Sequence, residues 1–371
     1  MTMDGTFGIG EALILTGGLA LCIGGAEALV RGASRIASWL RISPLIVGFT
    51  IVAFGTSAPE LAVSLRAAAA GETGIAIANL VGSNIANVWL ILGVVALVVP
   101  LAVEQAIVRV HIPILLAVSA GSLVLLLDGA LDLLDAALLL LAFIAYLAYL
   151  RWEAVRYRMR LQVKQNGNGK SQTSSAGTRW VAVLLATSGL AGLLIGAQWT
   201  LRASIHLATA LHVSNALIGL TIVAVGTSLP EMTTSVVAAI RGQREIAVGN
   251  IVGSCVFNTT CILGLSGLFP AARGPVDPSI THFALPLMLG SAATCLPVFF
   301  TGRRIARWEG AVFLAAYGAF LAYEVLSSLH AYESLHLLQA SVRVGVSVAC
   351  LVFALSVARE FLGRARQPRK R

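Results

Sequence analysis

The sequence predicts an all-α polytopic membrane protein built from two inverted-topology five-helix repeats, with an eleventh helix at its C-terminal end. Three observations carry this expectation. Hydrophobic residues make up 57% of the 371-residue chain and charged residues only 12%, too few polar side chains to cover a water-soluble domain of this length. The apolar residues fall in runs of about 20, the length of helix that crosses the roughly 30 Å hydrocarbon core of a bilayer. The sequence also repeats itself at an offset of 171 residues.

In chain order, apolar runs place spans at 9–31, 43–68, 74–99, 108–127, 131–150, 180–203, 215–240, 246–269, 282–300, 308–328 and 338–361. The first run has no positively charged stretch ahead of it and carries Asp4 and Glu11 instead, so it reads as a retained span and not a cleaved signal. The longest polar stretch, 152–179, contains Arg156, Arg158, Arg160, Lys164 and Lys170, followed by an Asn-Gly-Asn-Gly and serine-rich piece. That composition reads as a linker. The expected organisation is a first repeat over 1–151, a basic cytoplasmic linker over 152–179, a second, inverted repeat over 180–330, and an extra span with a basic tail over 331–371.

The net charge is +9, but the basic residues sit in short loops and at the C-terminus, with no basic stripe interleaved with aromatics. That distribution points to anchoring at the cytoplasmic face and away from nucleic acid. With the N-terminus outside, the inward loops hold Arg35 and Arg41, the linker, Arg241 and Arg244, then Arg303, Arg304 and Arg307, while the outward turn carries Asp128, Asp132 and Asp135. An eleventh span brings Arg364, Arg366, Arg369, Lys370 and Arg371 inside as well, with Arg343 near its outer end, in reach of the interface. The five cysteines, Cys22, Cys255, Cys261, Cys295 and Cys350, lie in apolar runs without a CxxC pair and are expected to pack as small hydrophobes.

Residues 48–60 (GFTIVAFGTSAPE) and 219–231 (GLTIVAVGTSLPE) are identical at ten of thirteen positions, and 78–93 matches 249–264 at eight of sixteen. The same offset aligns Gly25, Ala26 and Arg31 with Gly196, Ala197 and Arg202. An odd number of spans per unit forces the second unit to insert upside down, and in transporters built this way the substrate site lies near the midplane, where the units meet.

Glu60 and Glu231 fall inside spans, where an ionisable group costs several kcal/mol unless it is paired or hydrated. Thr56 and Ser57 precede Glu60 by four and three residues, and Ala53 by seven; Thr227, Ser228 and Ala224 stand in the same relation to Glu231. On a helix these positions share one face. The groups are oxygens, with no thiolate or imidazole, which suits hard cations such as Ca²⁺ and Na⁺. Pro59 and Pro230 displace the carbonyl four residues back, at Gly55 and Gly226, either as a simple kink or as a source of backbone ligands at a cavity. The following span of each half offers Ser83 with Asn87 and Ser254 with Asn258, each pair spaced by four. Such residues serve ion contact, direct or through water, or interhelical packing. Asn79 and Asn250 are expected to hold neighbouring helices in place.

Gly-Thr-Ser-x-Pro-Glu followed by Gly-Ser-x-x-x-Asn, twice in one chain, resembles the two α-repeats of the sodium/calcium exchanger family within the cation/calcium exchanger superfamily, in a compact prokaryotic form. The resemblance covers the first ten spans and is most specific over 45–93 and 216–264. It implies a ten-helix exchanger core in a bacterial or archaeal plasma membrane and sodium-driven calcium exchange by alternating access. It also implies calcium ligation by Glu60 and Glu231, with sodium ligands from Thr56, Ser57, Ser83, Ala53 and their partners Thr227, Ser228, Ser254, Ala224. No cofactor is implied beyond the transported Ca²⁺ and Na⁺. Asn258 stands where some members carry aspartate, which favours potassium independence, and GTSAPE differs from the Gly-Asn-Ala-x-Glu of proton-coupled relatives. The linker, under thirty residues long, is too short for β-sandwich domains of about 100 residues each. The alternatives are a Ca²⁺/H⁺ antiporter using the same glutamates, a channel, and an intramembrane enzyme with Ser57 or Ser228 as nucleophile, for which neither motif supplies a histidine base.

Overall fold

The computed structural model describes residues 8–165, 176–213, 218, 222–300 and 304–328. The expected span at 338–361, the basic tail and the middle of the linker lie outside the described residues.

Helix α1 (Ile9–Leu40) is one continuous helix, about 48 Å long at 1.5 Å per residue. It overruns the expected span and stops at Arg41, in the left-handed conformation with φ 54°, just ahead of Pro44. The second expected span is two helices, α2 (Pro44–Thr56) and α3 (Ala58–Ala69), bent by 51°. The break falls at Ser57 (φ −79°, ψ 11°), two residues before Pro59, because the proline ring cannot tolerate a straight path past the carbonyl four residues back. Then follow α4 (Thr73–Val98) and α5 (Ile107–Asp128), α6 (Leu133–Gln165) and α7 (Ala176–Ala210). The first part of the expected linker is therefore helical. Residues 152–165 contain no Gly or Pro and continue α6 without a break.

In the second half, α8 (Ala224–Thr227) and α9 (Leu229–Ile240) repeat the break at Ser228 (φ −88°, ψ 7°) ahead of Pro230. They are followed by α10 (Arg244–Gly267), α11 (Ile280–Leu296) and α12 (Arg307–Ser328). Among the described residues, seven helices are each long and apolar enough to cross a membrane, and the bent pair α2–α3 makes an eighth. The chain is thus an all-α polytopic membrane protein.

The helices do not share the interior equally. The apolar stretch of α10 is 100% buried and that of α4 72%, against 28–33% for α1, α5, α6, α7 and α12. The two central helices are those that carry Ser83, Asn87, Ser254 and Asn258. Around them, α1, α6 and α7 expose Leu13, Leu138, Leu141, Ile144 and Leu184, an apolar surface matched to lipid. Helices α1 and α7 meet backbone to backbone: a methyl group on Gly196 would lie 2.7 Å from Gly18 O, so only glycine allows this approach.

The connections fall into two sets. Strand β1 (Leu101–Ala102) pairs antiparallel with β2 (Arg304–Ile305), and Arg158 of α6 donates to Leu40 O at the end of α1 at 2.8 Å. At the other end Ala130 bridges Pro275, Val276 N donates to Gly129 O at 2.7 Å, and Thr73 Oγ1 donates to Ala272 O at 2.7 Å. This grouping is the alternation expected of successive spans.

Wide π-helical turns interrupt α4 at Ala86–Ile91 and α10 at Asn258–Ile262. Asn87 and Asn258 both lie within these turns. Insertions of this kind re-aim side chains and are frequent at functional sites.

A candidate cation site between the two halves

Glu60 sits in the first turn of α3 and Glu231 in the first turn of α9. Both are 0% exposed, and neither is bonded to a lysine or arginine among the described residues. Each carboxylate is instead held by serine hydroxyls, and the serine reaches it from the opposite half. Ser57 Oγ donates to Glu231 Oε1 at 2.9 Å, and Ser228 Oγ donates to Glu60 Oε1 at 3.4 Å. The two bonds are reciprocal under the 171-residue offset. The breaks before the prolines make this possible: they leave Ser57 and Ser228 at the helix junctions, free to face across the interface.

Helix α4 adds Ser83, whose hydroxyl donates to Glu60 Oε1 at 3.3 Å and lies 3.5 Å from Ser228 Oγ. Asn258 Nδ2 donates to Ser83 Oγ at 3.3 Å. Thr56 Oγ1 shares its one hydrogen between Asn250 Oδ1 at 3.0 Å and Ala53 O at 3.3 Å, and Ser57 N donates to Ala53 O at 3.0 Å, so the Ala53 carbonyl is already engaged. Thr227 is half-buried beside Ser228, and Ala224 opens the short helix α8.

The expected bracing residues behave alike in both halves. Asn79 Nδ2 donates to Ser64 Oγ at 2.9 Å and Glu60 O at 3.4 Å, and Asn250 Nδ2 donates to Ser235 Oγ at 3.0 Å and Glu231 O at 3.4 Å. Sequence reasoning passed over Ser64 and Ser235, although both sit four residues beyond the glutamates in each copy.

Among the described residues, six buried polar atoms of the expected site residues have no hydrogen-bond partner: Glu60 Oε2, Glu231 Oε2, Ser254 Oγ, Asn258 Oδ1, and Oδ1 and Nδ2 of Asn87. Leaving one buried polar atom unpaired costs about 1–3 kcal/mol, and two carboxylates without a counter-charge in a membrane interior cost more. Five of the six atoms are oxygens. An oxygen-seeking cation satisfies such a set, and its charge offsets the carboxylates.

Comparison with known proteins follows the same outline. The chain matches the family described as sodium/calcium exchanger protein in two blocks, residues 11–152 and 181–326. It is 36% identical over 341 residues to the sodium/calcium exchanger MaX1 of Methanosarcina acetivorans, covering 83% of this chain and 97% of that one. It is 34% identical over 276 residues to the inner membrane protein YrbG of Escherichia coli, covering 73% of this chain and 82% of that one. Solved structures of the sodium-calcium exchanger NCX_Mj superpose with a TM-score of 0.71 at 30% identity, covering 85% of this chain and 98% of that chain.

Proposed function

The chain belongs to the sodium/calcium exchanger family, a family of membrane transporters and not enzymes, and from that premise we propose that it is a secondary antiporter exchanging Na⁺ for Ca²⁺ by alternating access. The observation that carries the proposal is the reciprocal pairing of Ser57 with Glu231 and Ser228 with Glu60, which leaves one oxygen of each carboxylate unpaired in the buried interior. Glu60 and Glu231 are the calcium ligands in this reading. Thr56, Ser57, Ala53, Ser83 and their counterparts Thr227, Ser228, Ala224, Ser254 supply sodium ligands, and Asn87 and Asn258 complete the oxygen set. The carbonyl of Ala53 already accepts from Thr56 Oγ1 and Ser57 N, so its part would begin only as those bonds yield.

The same reading takes 1–151 and 180–330 as inverted repeats on either side of the 152–179 linker. Support comes from the separate match of each half to one family, from the paired helix breaks at Ser57 and Ser228, and from the reciprocal bonds. It places the N-terminus outside and the basic loops in the cytoplasm of a prokaryotic cell.

The deciding experiment is ⁴⁵Ca uptake into proteoliposomes under separately imposed sodium, potassium and proton gradients. Uptake that follows the sodium gradient supports the proposal. Uptake driven equally by a pH gradient without sodium replaces it with Ca²⁺/H⁺ exchange at the same glutamates.

A further inference from the structure

We propose that Asn84 is a positioning residue: it fixes the amide of Asn258 so that Oδ1, and not the NH₂ group, faces the transported cation. The inference rests on the site reading above and adds a residue and a task that the repeat does not contain.

Asn84 lies beside Ser83 on α4 and is 3% exposed. Its surroundings dictate which end of its amide points where. The backbone carbonyl of Cys255 can only accept, and Asn84 Nδ2 donates to it at 3.4 Å. The Thr259 hydroxyl donates to that same carbonyl at 2.9 Å, so its oxygen is left to accept, which it does from Asn84 Nδ2 at 2.8 Å. The Met288 sulfur, an acceptor, lies 3.4 Å from the same nitrogen. Three acceptors at one end of the amide place the NH₂ there and the oxygen at the other end.

That oxygen meets Asn258. Asn258 Nδ2 donates to Asn84 Oδ1 at 3.1 Å and to Ser83 Oγ at 3.3 Å, which uses both of its hydrogens. The Ser83 hydroxyl, accepting from Asn258, is left to donate to Glu60. Asn258 Oδ1 is then the end without a partner, buried in the site. A cation is attracted by the oxygen end of an amide and repelled by the N–H end, so an amide flip would turn a ligand into a barrier.

The device exists in one half only. The residue 171 positions after Asn84 is Cys255, and Asn87, the counterpart of Asn258, has both amide atoms unpaired. The site thus combines one amide held by two hydrogen bonds with one whose amide atoms make none.

The test uses the full-length chain in proteoliposomes and measures exchange of ⁴⁵Ca against unlabelled calcium, which needs no sodium gradient. Asn84→Ala should raise the half-saturating calcium concentration about tenfold, the size expected for losing one oriented hydrogen-bonding dipole. In an Asn258→Asp background both ends of the side chain are oxygens and orientation no longer matters. There the same change should shift half-saturation by less than about twofold, the scale of a residual packing effect. Thr259→Val, nearly isosteric, removes an acceptor that orients Asn84 and should show the same dependence on background; it carries the test if Asn84→Ala does not fold. An equal shift in both backgrounds, or no shift in the native one, overturns the proposal. Glu60→Gln, run alongside, separates the two levels: normal exchange in that variant would bring down the site itself, whereas lost exchange with no background dependence at Asn84 would bring down this inference alone.

Discussion

Replacing Glu60 by glutamine keeps the shape of the side chain and removes one negative charge from a site that holds two. Glu60 Oε1 accepts from Ser83 and Ser228 at 3.3 and 3.4 Å, and a glutamine oxygen can still accept both bonds. Its amide nitrogen then takes the place of Oε2, which has no partner to lose. The cost to folding is therefore small, and the change acts on charge. With both carboxylates ionised, the fixed charge of −2 is neutralised by one Ca²⁺; in the variant the loaded site carries +1 in the membrane interior. A charge there costs at least about 2.5–3.5 kcal/mol, which is about a hundredfold in affinity. Purified Glu60→Gln should elute and melt like the parent protein, while ⁴⁵Ca uptake at sub-millimolar calcium is lost and half-saturation moves up by two orders of magnitude or more. Uptake within about threefold of the parent at low calcium, a difference worth well under 1 kcal/mol, would refute the assignment of Glu60 to the ion.

Glu231→Gln should behave in the same way, because Glu231 likewise accepts from a serine of the opposite half, Ser57, and keeps one oxygen without a partner. Ser57→Ala and Ser228→Ala each remove one bond to a carboxylate and should raise half-saturating calcium about tenfold, as for a hydrogen bond to a charged group; ⁴⁵Ca titration of both variants checks it, and a defect in one alone would break the reciprocity. Calcium uptake into vesicles should depend on an outward sodium gradient and ignore a potassium gradient, which ion-replacement assays read directly. Three sodium ions exchanged per calcium would leave the sodium-loaded site at +1, worth about 2.3 kcal/mol per 100 mV. An inside-negative potential set with potassium and valinomycin should then speed calcium exit, and indifference to potential would point to two sodium ions.

The duplicated motif made both glutamates, their serines and the asparagines of the next span legible in the sequence, because a repeat places matching chemistry at matching offsets. The contacts between them were not legible. Spacing puts Thr56, Ser57 and Glu60 on one helix face, but the chain breaks at Ser57, so Ser57 turns to the glutamate of the other half while Thr56 bonds Asn250. Hydropathy located the helices and misjudged their ends: α1 and α6 run on through Leu40 and Gln165, past the apolar stretch, because polar residues do not by themselves end a helix. Asn84 and Thr259 escaped notice for the opposite reason. Their counterparts, Cys255 and Val88, are chemically unlike them, and a search guided by symmetry passes over them.

The reciprocal bonds also limit how such a site can open. Each carboxylate is held by a serine of the opposite half, so neither half contains a complete site. Parting α3 from α9 would break Ser57–Glu231 and Ser228–Glu60 together and leave two buried carboxylates with fewer donors, the costly state for an ion pathway. Movement of the surrounding helices avoids that cost. Helices α1 and α7 are long elements with only a third of their apolar stretch buried, and none of the site side chains comes from them. They press against each other through glycine backbones, and that contact can slide without parting a hydrogen bond of the site. A cross-link between α1 and α9 near Glu27 and Arg241, which are already paired at 2.7 Å, should therefore arrest transport while leaving calcium binding measurable. Equal loss of binding and transport would mean that the site itself comes apart during the cycle.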